Sequence, residues 1–321
     1  MSFPFVKGHG TRNDFVVLPD LDGSVHGDLE PAVVAQICDR RAGVGADGVL
    51  RVLRGDVDGG SQWFMDYRNA DGSVSQMCGN GVRVFARYLE AAGLVDTATL
   101  DGPLAIDTRD GIKNVTYCGD GEISVDMGAP TIGGRVDVAV GGRHYDAARV
   151  DTGNPHAVVF VDALAEVGEL VRSPISCVEE FPDGVNIEFV AAVGDQAVAM
   201  RVFERGVGET WSCGTGACAV VAAVATRTGG SEPTGVAGSM SRAGPGGAAE
   251  SMTGGATRGS TALMSGGETR GAAGSVPRLP TTYAVTVPGG TLTVTWGLDG
   301  HLHLKGPAVL VATGTWSGSP R

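Results

Sequence analysis

Two short stretches of this chain carry residues of a kind and spacing that can do chemistry. Met77-Cys78-Gly79-Asn80-Gly81-Val82-Arg83 and Ser212-Cys213-Gly214-Thr215-Gly216-Ala217-Cys218 each place C-G-x-G directly before a run of helical character, Val82 to Ala92 and Ala217 to Thr226. A thiol at a helix N-terminus meets orphan N–H groups and the positive end of the macrodipole, which favour the thiolate. The glycines let the backbone close around a small anion. Two such sites point to a pair of reactive sulfurs. A carbon acid beside a carboxylate can lose its proton to a thiolate on one face and regain one from a thiol on the other, which inverts its configuration without a cofactor. The charge developing on the carboxylate is then held by the N–H groups of Gly79, Asn80, Gly214 and Thr215. A neighbouring imidazole such as His156 and a carboxylate such as Glu204 can set which sulfur carries the proton.

The elements that must position these thiols repeat. Phe64 to Asn69 runs as a strand towards Cys78, and Met200 to Arg205 runs as a strand towards Cys213. Asn69 stands nine residues before Cys78, and Glu204 nine before Cys213. The turn asparagines Asn13 and Asn154 each precede an apolar strand, and Gly48 to Leu53 is echoed by Gly184 to Val190. Repetition over a whole half argues for a duplicated α/β unit. Two halves related by an approximate twofold bring Cys78 and Cys213 to face each other across one cleft. The second helix, Gly214 to Ala225, has no polar face and is expected to be wrapped by its own sheet.

Composition limits the alternatives. The chain has 321 residues, a formal charge of −12 and 42% hydrophobic residues, enough for two lobes with their own cores. An acidic surface argues against nucleic acid or an anionic membrane as partner. Lysine is confined to Lys7, Lys113 and Lys305, none in a setting that suggests a pyridoxal-phosphate Schiff base. The N-terminus is broken by Lys7, His9 and Arg12 before an apolar run can form, unlike a signal peptide or membrane span. Six cysteines without C-x-x-C spacing match neither a disulfide scaffold nor a zinc site, and they suggest reduced thiols in the cytoplasm. Gly43 to Gly48 matches GxGxxG, but a helix precedes it and a strand follows, the reverse of the dinucleotide fingerprint. Residues 228–280 hold 14 glycines and no Phe, Trp or Tyr, which reads as a disordered insertion. A hairpin with a Pro-Gly-Gly turn follows over 283–296, and the last strands are expected at 301–304 and 308–315.

The motifs MCGNGVR (77–83), NADGS (69–73), GNPHAVVF (153–160) and ERGVGETWSCGTGACA (204–219) resemble those of the diaminopimelate epimerases. The resemblance covers residues 3–227 and 283 to about 315. It implies an α+β fold of two pseudo-symmetric α/β lobes, each a mostly antiparallel, barrel-like sheet around a central helix, with the site in the cleft between them. The first lobe is expected over 1–127, with 308–321 returning to it, and the second over 128–307. The resemblance implies cofactor- and metal-free conversion of LL-2,6-diaminopimelate to the meso form by a homodimer, in lysine and peptidoglycan-precursor synthesis. In it Cys78 and Cys213 are the acid/base pair, tuned by His156 and Glu204. Asn13, Asn69, Asn154, Asn186, Glu204 and Arg205 are ligands of the long substrate, and Gly79-Asn80 and Gly214-Thr215 hold the reacting carboxylate. Gly8, Arg12 and Gly48 depart from the family pattern.

Blander readings stand beside these. Asn13, Asn154 and Asn186 are also good turn formers, Glu204 and Arg205 can form a surface ion pair, and His156 can be a satisfied core imidazole. Cys38, Cys118, Cys177 and Cys218 read as small buried hydrophobes. Two other functions use the same thiols: a proline or hydroxyproline racemase, against which the polar set Asn69, Asn186 and Arg205 tells, and a redox protein cycling Cys78 and Cys213 through a disulfide.

Overall fold

The computed structural model describes residues 2–56, 60–140, 142–170, 174–176, 180–228 and 277–318. It consists of two pseudo-symmetric α/β lobes. A five-stranded sheet runs in the order Val309–Trp316, Phe3–Gly10, Asn13–Pro19, Gly48–Arg54, Trp63–Asn69. Only the central pair, Asn13–Pro19 with Gly48–Arg54, is parallel. The larger sheet repeats this arrangement: Pro155–Phe160 lies parallel to Asn186–Gly194, which turns back antiparallel as Ala197–Glu204. In each copy the returning strand leads to the helix that follows a C-G-x-G motif. We call the helix Pro31–Cys38 α1, Gly79–Ala91 α2 and Gly214–Thr228 α3.

Period-two alternation explains why each lobe has an inner and an outer core. In Asn13–Pro19, Phe15 and Val17 pack with Val82 and Phe85 of α2, while Val16 and Leu18 pack with Val34 and Ile37 of α1. The second lobe does the same around α3. Val158 and Val190 join Ala217 to Ala223 on the inside, while Val159, Ile187 and Phe189 pack outside with Val167 of the 3-10 turn Leu164–Val167. A buried valine contributes roughly 1.5–3 kcal/mol by leaving water, so the fully buried Val220 and Val221 are worth more to α3 than any polar surface contact.

The two lobes share one hydrogen-bonded edge. Leu302–Gly306 pairs with Ile123–Asp126, so the strands Leu104–Ile106, Lys113–Tyr117 and Ile123–Asp126 extend the larger sheet while walling in α2. The bonds from Asp107 N to Trp63 O (2.8 Å) and from Met65 N to Asp107 O (2.9 Å) tie this wall to the five-stranded sheet.

Two expectations are adjusted. α2 begins at Gly79, earlier than the apolar run from Val82 suggests, because glycine's low helix propensity is overridden by packing of its first turn against that of α3, which begins at Gly214 as read from its lack of a polar face. Of the insertion expected over 228–280, residues 229–276 lie outside the described residues. Pro277–Pro280 are described, with Leu279 packed against the main core.

Candidate active site

The first turns of α2 and α3 meet end to end. A Cβ on Gly214 would stand 3.5 Å from the Gly79 Cα and 3.7 Å from the Asn80 nitrogen. A Cβ on either Gly79 or Gly214 would lie 2.9 Å from the same Leu304 methyl, so Leu304 is wedged between the two helix starts. Cys78 and Cys213 directly precede these glycines, and each thiol is therefore one residue from the junction. Their carbonyls accept the first helical bonds, from Val82 N (2.8 Å) and Ala217 N (3.0 Å).

Around Cys78 the side-chain polarities follow from one another. Arg83, fully buried in α2, donates to Asn80 Oδ1 at 2.8 Å. The Asn80 amide nitrogen must then donate elsewhere, and it faces Asn13 Oδ1 at 3.2 Å and the Ser212 carbonyl at 3.3 Å. Asn13 Oδ1 also accepts from the Cys78 thiol at 3.6 Å, while its Nδ2 donates to Asp47 at 2.8 Å. Around Cys213, the Gly216 N–H donates to Sγ at 3.4 Å, and the Thr215 hydroxyl lies at 3.4 Å. His156 is fully buried, with Nδ1 2.7 Å from Glu188 Oε1 and Nε2 2.9 Å from Asn154 Oδ1. Glu204 accepts from the Thr210 hydroxyl.

Not every expected residue converges on the thiols. Asn69 binds the Ser73 hydroxyl (3.0 Å) within its own turn. Asn186 Oδ1 accepts from Arg205 N at 2.9 Å, and exposed Arg205 donates to the Asp183 carbonyl at 2.9 Å, so these two form a group of their own. Glu204 and Arg205 are not paired with each other in any ion pair among the described residues.

The electrostatics correct one expectation. A helix N-terminus was expected to favour thiolate, yet burial raises both thiols. Burial pushes Cys78 up to about 11, with the Glu204 charge adding to it and the N–H groups of Gly81 and Asn80 only partly offsetting it. Burial also pushes Cys213 well above the usual thiol range, helped by the Glu204 and Glu188 carboxylates. Desolvation outweighs the backbone donors because a bare thiolate in a dry site loses its hydration before it gains two weak N–H bonds. Burial likewise raises the Glu204 carboxyl, against the Thr210 hydroxyl bond. Of the four cysteines expected to be buried, Cys38 and Cys218 are buried and pushed up to about 12, in keeping with inert packing, Cys118 is only half-buried, and Cys177 lies outside the described residues.

Sequence reasoning missed Glu188, Arg83, Thr11 and Ser212. Glu188 had a signal: an acid inside Asn186–Gly194, a strand whose first six residues are all buried. Thr11 and Ser212 had none, because they meet only across the lobes, hydroxyl to hydroxyl at 2.6 Å. The departures from the family pattern also find their places. The Arg12 guanidinium stacks on Trp211, 5.3 Å from its ring centre, and Thr11 and Arg12 take left-handed φ values of 48° and 63° to reach the opposite lobe. A Cβ at Gly48 would lie 2.5 Å from the Arg68 carbonyl and 2.8 Å from the Tyr67 ring, so Tyr67 fills the space a side chain there would need.

Solved structures share this architecture. A phenazine biosynthesis protein of the PhzF family from Bacillus anthracis superposes with a TM-score of 0.60, at 15% identity, over 99% of both chains. A hydroxyproline epimerase from Agrobacterium vitis with bound trans-4-hydroxy-L-proline gives 0.59 at 14%, over 98% of this chain and 92% of that one. At such identities the likeness is one of fold. Sequence relatives are much nearer. The diaminopimelate epimerase of Streptomyces coelicolor is 46% identical over 319 residues, covering 97% of this chain and 94% of that protein. The one from Mycolicibacterium smegmatis is 44% identical over 97% and 95%. The family model for diaminopimelate epimerase matches residues 5–133 and 148–242, which include both C-G-x-G motifs. By its two abutting cysteine-bearing helices, its repeated lobes and this sequence likeness, the chain belongs to the diaminopimelate epimerase family.

Proposed function

We propose that this protein is an isomerase that epimerises LL-2,6-diaminopimelate to the meso form, with Cys78 and Cys213 as the two acid/base groups. The observation that carries the reading is the end-to-end meeting of α2 and α3 around Leu304, each helix entered through a cysteine. A substrate carboxylate at that junction accepts N–H bonds from both first turns, those of Gly79 and Asn80 and those of Gly214 and Thr215, and a carbon attached to it has one sulfur on either side. Backbone donors aimed at the developing enediolate charge act strongly in so dry a site.

One thiol must ionise before it can take the α-proton. The substrate's α-ammonium supplies the missing positive charge: its entry beside Glu204 and the sulfurs offsets the desolvation that raises both thiols. Glu204, raised by the same burial, then accepts the thiol proton, and the second cysteine protonates the opposite face. Asn13 holds Cys78 in position, and in this reading Arg205, tied to Asn186 through its backbone N–H, is the partner of the distal carboxylate of a long substrate. Asn69 and Asn154 complete the ligand set in this reading.

The polar set Asn69, Asn186 and Arg205 favours a long diamino diacid over proline or hydroxyproline. Lysine and peptidoglycan-precursor synthesis is the setting that follows from such a substrate. We also assign a cytoplasmic location and a homodimer. Among the described residues no helix is long and apolar enough to cross a membrane. The outermost strand of the smaller sheet, Val309–Trp316, leaves Val309 and Val311 exposed on an edge that a second copy can cover. Incubation with LL-diaminopimelate under reducing conditions, followed by chiral chromatography, tests the activity: meso product is expected, and recovery of the LL form alone contradicts it.

A further inference from the structure

Glu188 is completely buried, and its Oε2 has no hydrogen-bond partner among the described residues. An unsatisfied buried carboxylate oxygen costs stability, so its presence here calls for a role other than holding the fold. Strand alternation places it on the inner face of Asn186–Gly194 together with Val190, beside the first turn of α3, and its Oε1 lies where a Cβ on Gly216 would come within 2.7 Å. Four titratable groups share this inner corner: Glu188 itself, His156 from Pro155–Phe160, Glu204 from Ala197–Glu204, and Cys213 ahead of α3.

The hydrogen bonds run in one direction. A carboxylate can only accept, so His156 Nδ1 carries its hydrogen towards Glu188 Oε1 at 2.7 Å. The other ring nitrogen faces Asn154 Oδ1, also an acceptor, at 2.9 Å, a contact that is a hydrogen bond when Nε2 donates. With Oδ1 engaged by the ring, the Asn154 amide turns its Nδ2 away from the ring, and that nitrogen has no acceptor within the protein among the described residues. Neither the ring nor the Glu188 carboxyl is exposed to solvent.

We propose that Glu188 is a positioning residue for substrate recognition: as the buried partner of a His156 ring that donates from both nitrogens, it fixes which end of the Asn154 amide faces the cleft, so that Asn154 presents donors to a substrate carboxylate. This rests on the epimerase reading only for the identity of the ligand. If Glu188 lacked its charge, the buried ring would keep one nitrogen as a lone pair, the Asn154 amide would turn its Nδ2 to that nitrogen, and an oxygen would then face the incoming carboxylate.

The test compares Glu188→Gln with the wild type in steady-state epimerisation. A lost charge-assisted hydrogen bond predicts a KM raised about tenfold or more, with kcat within about threefold, because the contact is made equally in ground and transition states. A KM within about twofold of wild type overturns the proposal, as does a fall in kcat with KM unchanged. Should the glutamine variant not fold, Asn154→Asp, with Glu188 intact, presents an oxygen on both sides; it is expected to raise KM in the same way, and a wild-type KM overturns the proposal. Independently of activity, nitrogen-15 NMR of histidine-labelled wild type at neutral pH, with His156 assigned by its absence in His156→Asn, is expected to show hydrogen on both ring nitrogens. A lone-pair nitrogen in that ring refutes the inference. Absence of epimerisation by the wild type with both nitrogens protonated refutes the functional reading and leaves the His156 geometry standing.

Discussion

Replacing Gly214 by alanine puts one methyl group into the junction on which the account depends. The added carbon would stand 2.9 Å from the Leu304 Cδ2 and 3.5 Å from the Gly79 Cα. The second distance is ordinary contact; the first is too short by roughly half an ångström or more, given an optimum near 3.5–4.0 Å. Leu304 is fully buried between the helices and touches Gly79 as closely as Gly214, so it cannot retreat without pushing one helix start. Two effects on stability oppose each other. Alanine in place of a helical glycine gains about 0.5–1 kcal/mol, while overpacking a filled core costs about 1–3 kcal/mol. The net loss is therefore modest, about 0–2.5 kcal/mol, and the protein is expected to remain folded. Activity responds more steeply, since a misplacement near 1 Å costs about a hundredfold and half that shift roughly tenfold. The assay is kcat/KM for epimerisation, with urea unfolding of the same preparation as control. A folded Gly214→Ala protein with wild-type kcat/KM would show that the close approach of the two helices has no bearing on catalysis.

Cys78→Ala and Cys213→Ala are each expected to lower kcat by about 10²–10⁴-fold without unfolding the protein, measured by epimerisation and circular dichroism; near-wild-type turnover by either removes that cysteine from the mechanism. Glu204→Gln takes away the carboxylate that accepts the thiol proton, so kcat/KM is expected to fall about 10²–10⁴-fold, read across the pH profile with circular dichroism as control, while near-wild-type turnover contradicts the assignment. Cys218, buried inside α3 and pushed up to about 12, is expected to tolerate alanine with kcat within about twofold and a stability loss of about 1 kcal/mol, read by steady-state kinetics and urea unfolding.

The features legible in the sequence are those whose physics is local. C-G-x-G before an apolar run marks Cys78 and Cys213 because a glycine-rich helix start is written in consecutive residues. The strand-return-helix order is legible twice for the same reason, and the apolar α3 follows from its lack of any polar face. The pairing of Leu302–Gly306 with Ile123–Asp126 was not legible, because two strands so far apart in the chain carry no local mark of their register. Neither was the meeting of Thr11 with Ser212, since each looks like an ordinary turn residue until the lobes are joined. The raising of both thiols was not legible, because a helix N-terminus is a local feature whereas desolvation is set by the whole fold. Glu188 lies between these cases: an acid in an apolar strand announces a buried partner, but only the structure identifies that partner as His156.

The central claim is that two different groups act on opposite faces of one carbon. It is tested most directly by deuterium partitioning in the first turnovers: wild-type enzyme is given LL-diaminopimelate in deuterated buffer, the reaction is stopped early, and both stereoisomers are analysed by mass spectrometry. The account predicts deuterium at the inverted carbon of the meso product and none in the recovered LL substrate, because the thiol that removes the proton is not the one that delivers the deuteron. Label appearing in recovered substrate as fast as in product would mean that one group serves both faces, and the two-thiol account would be wrong.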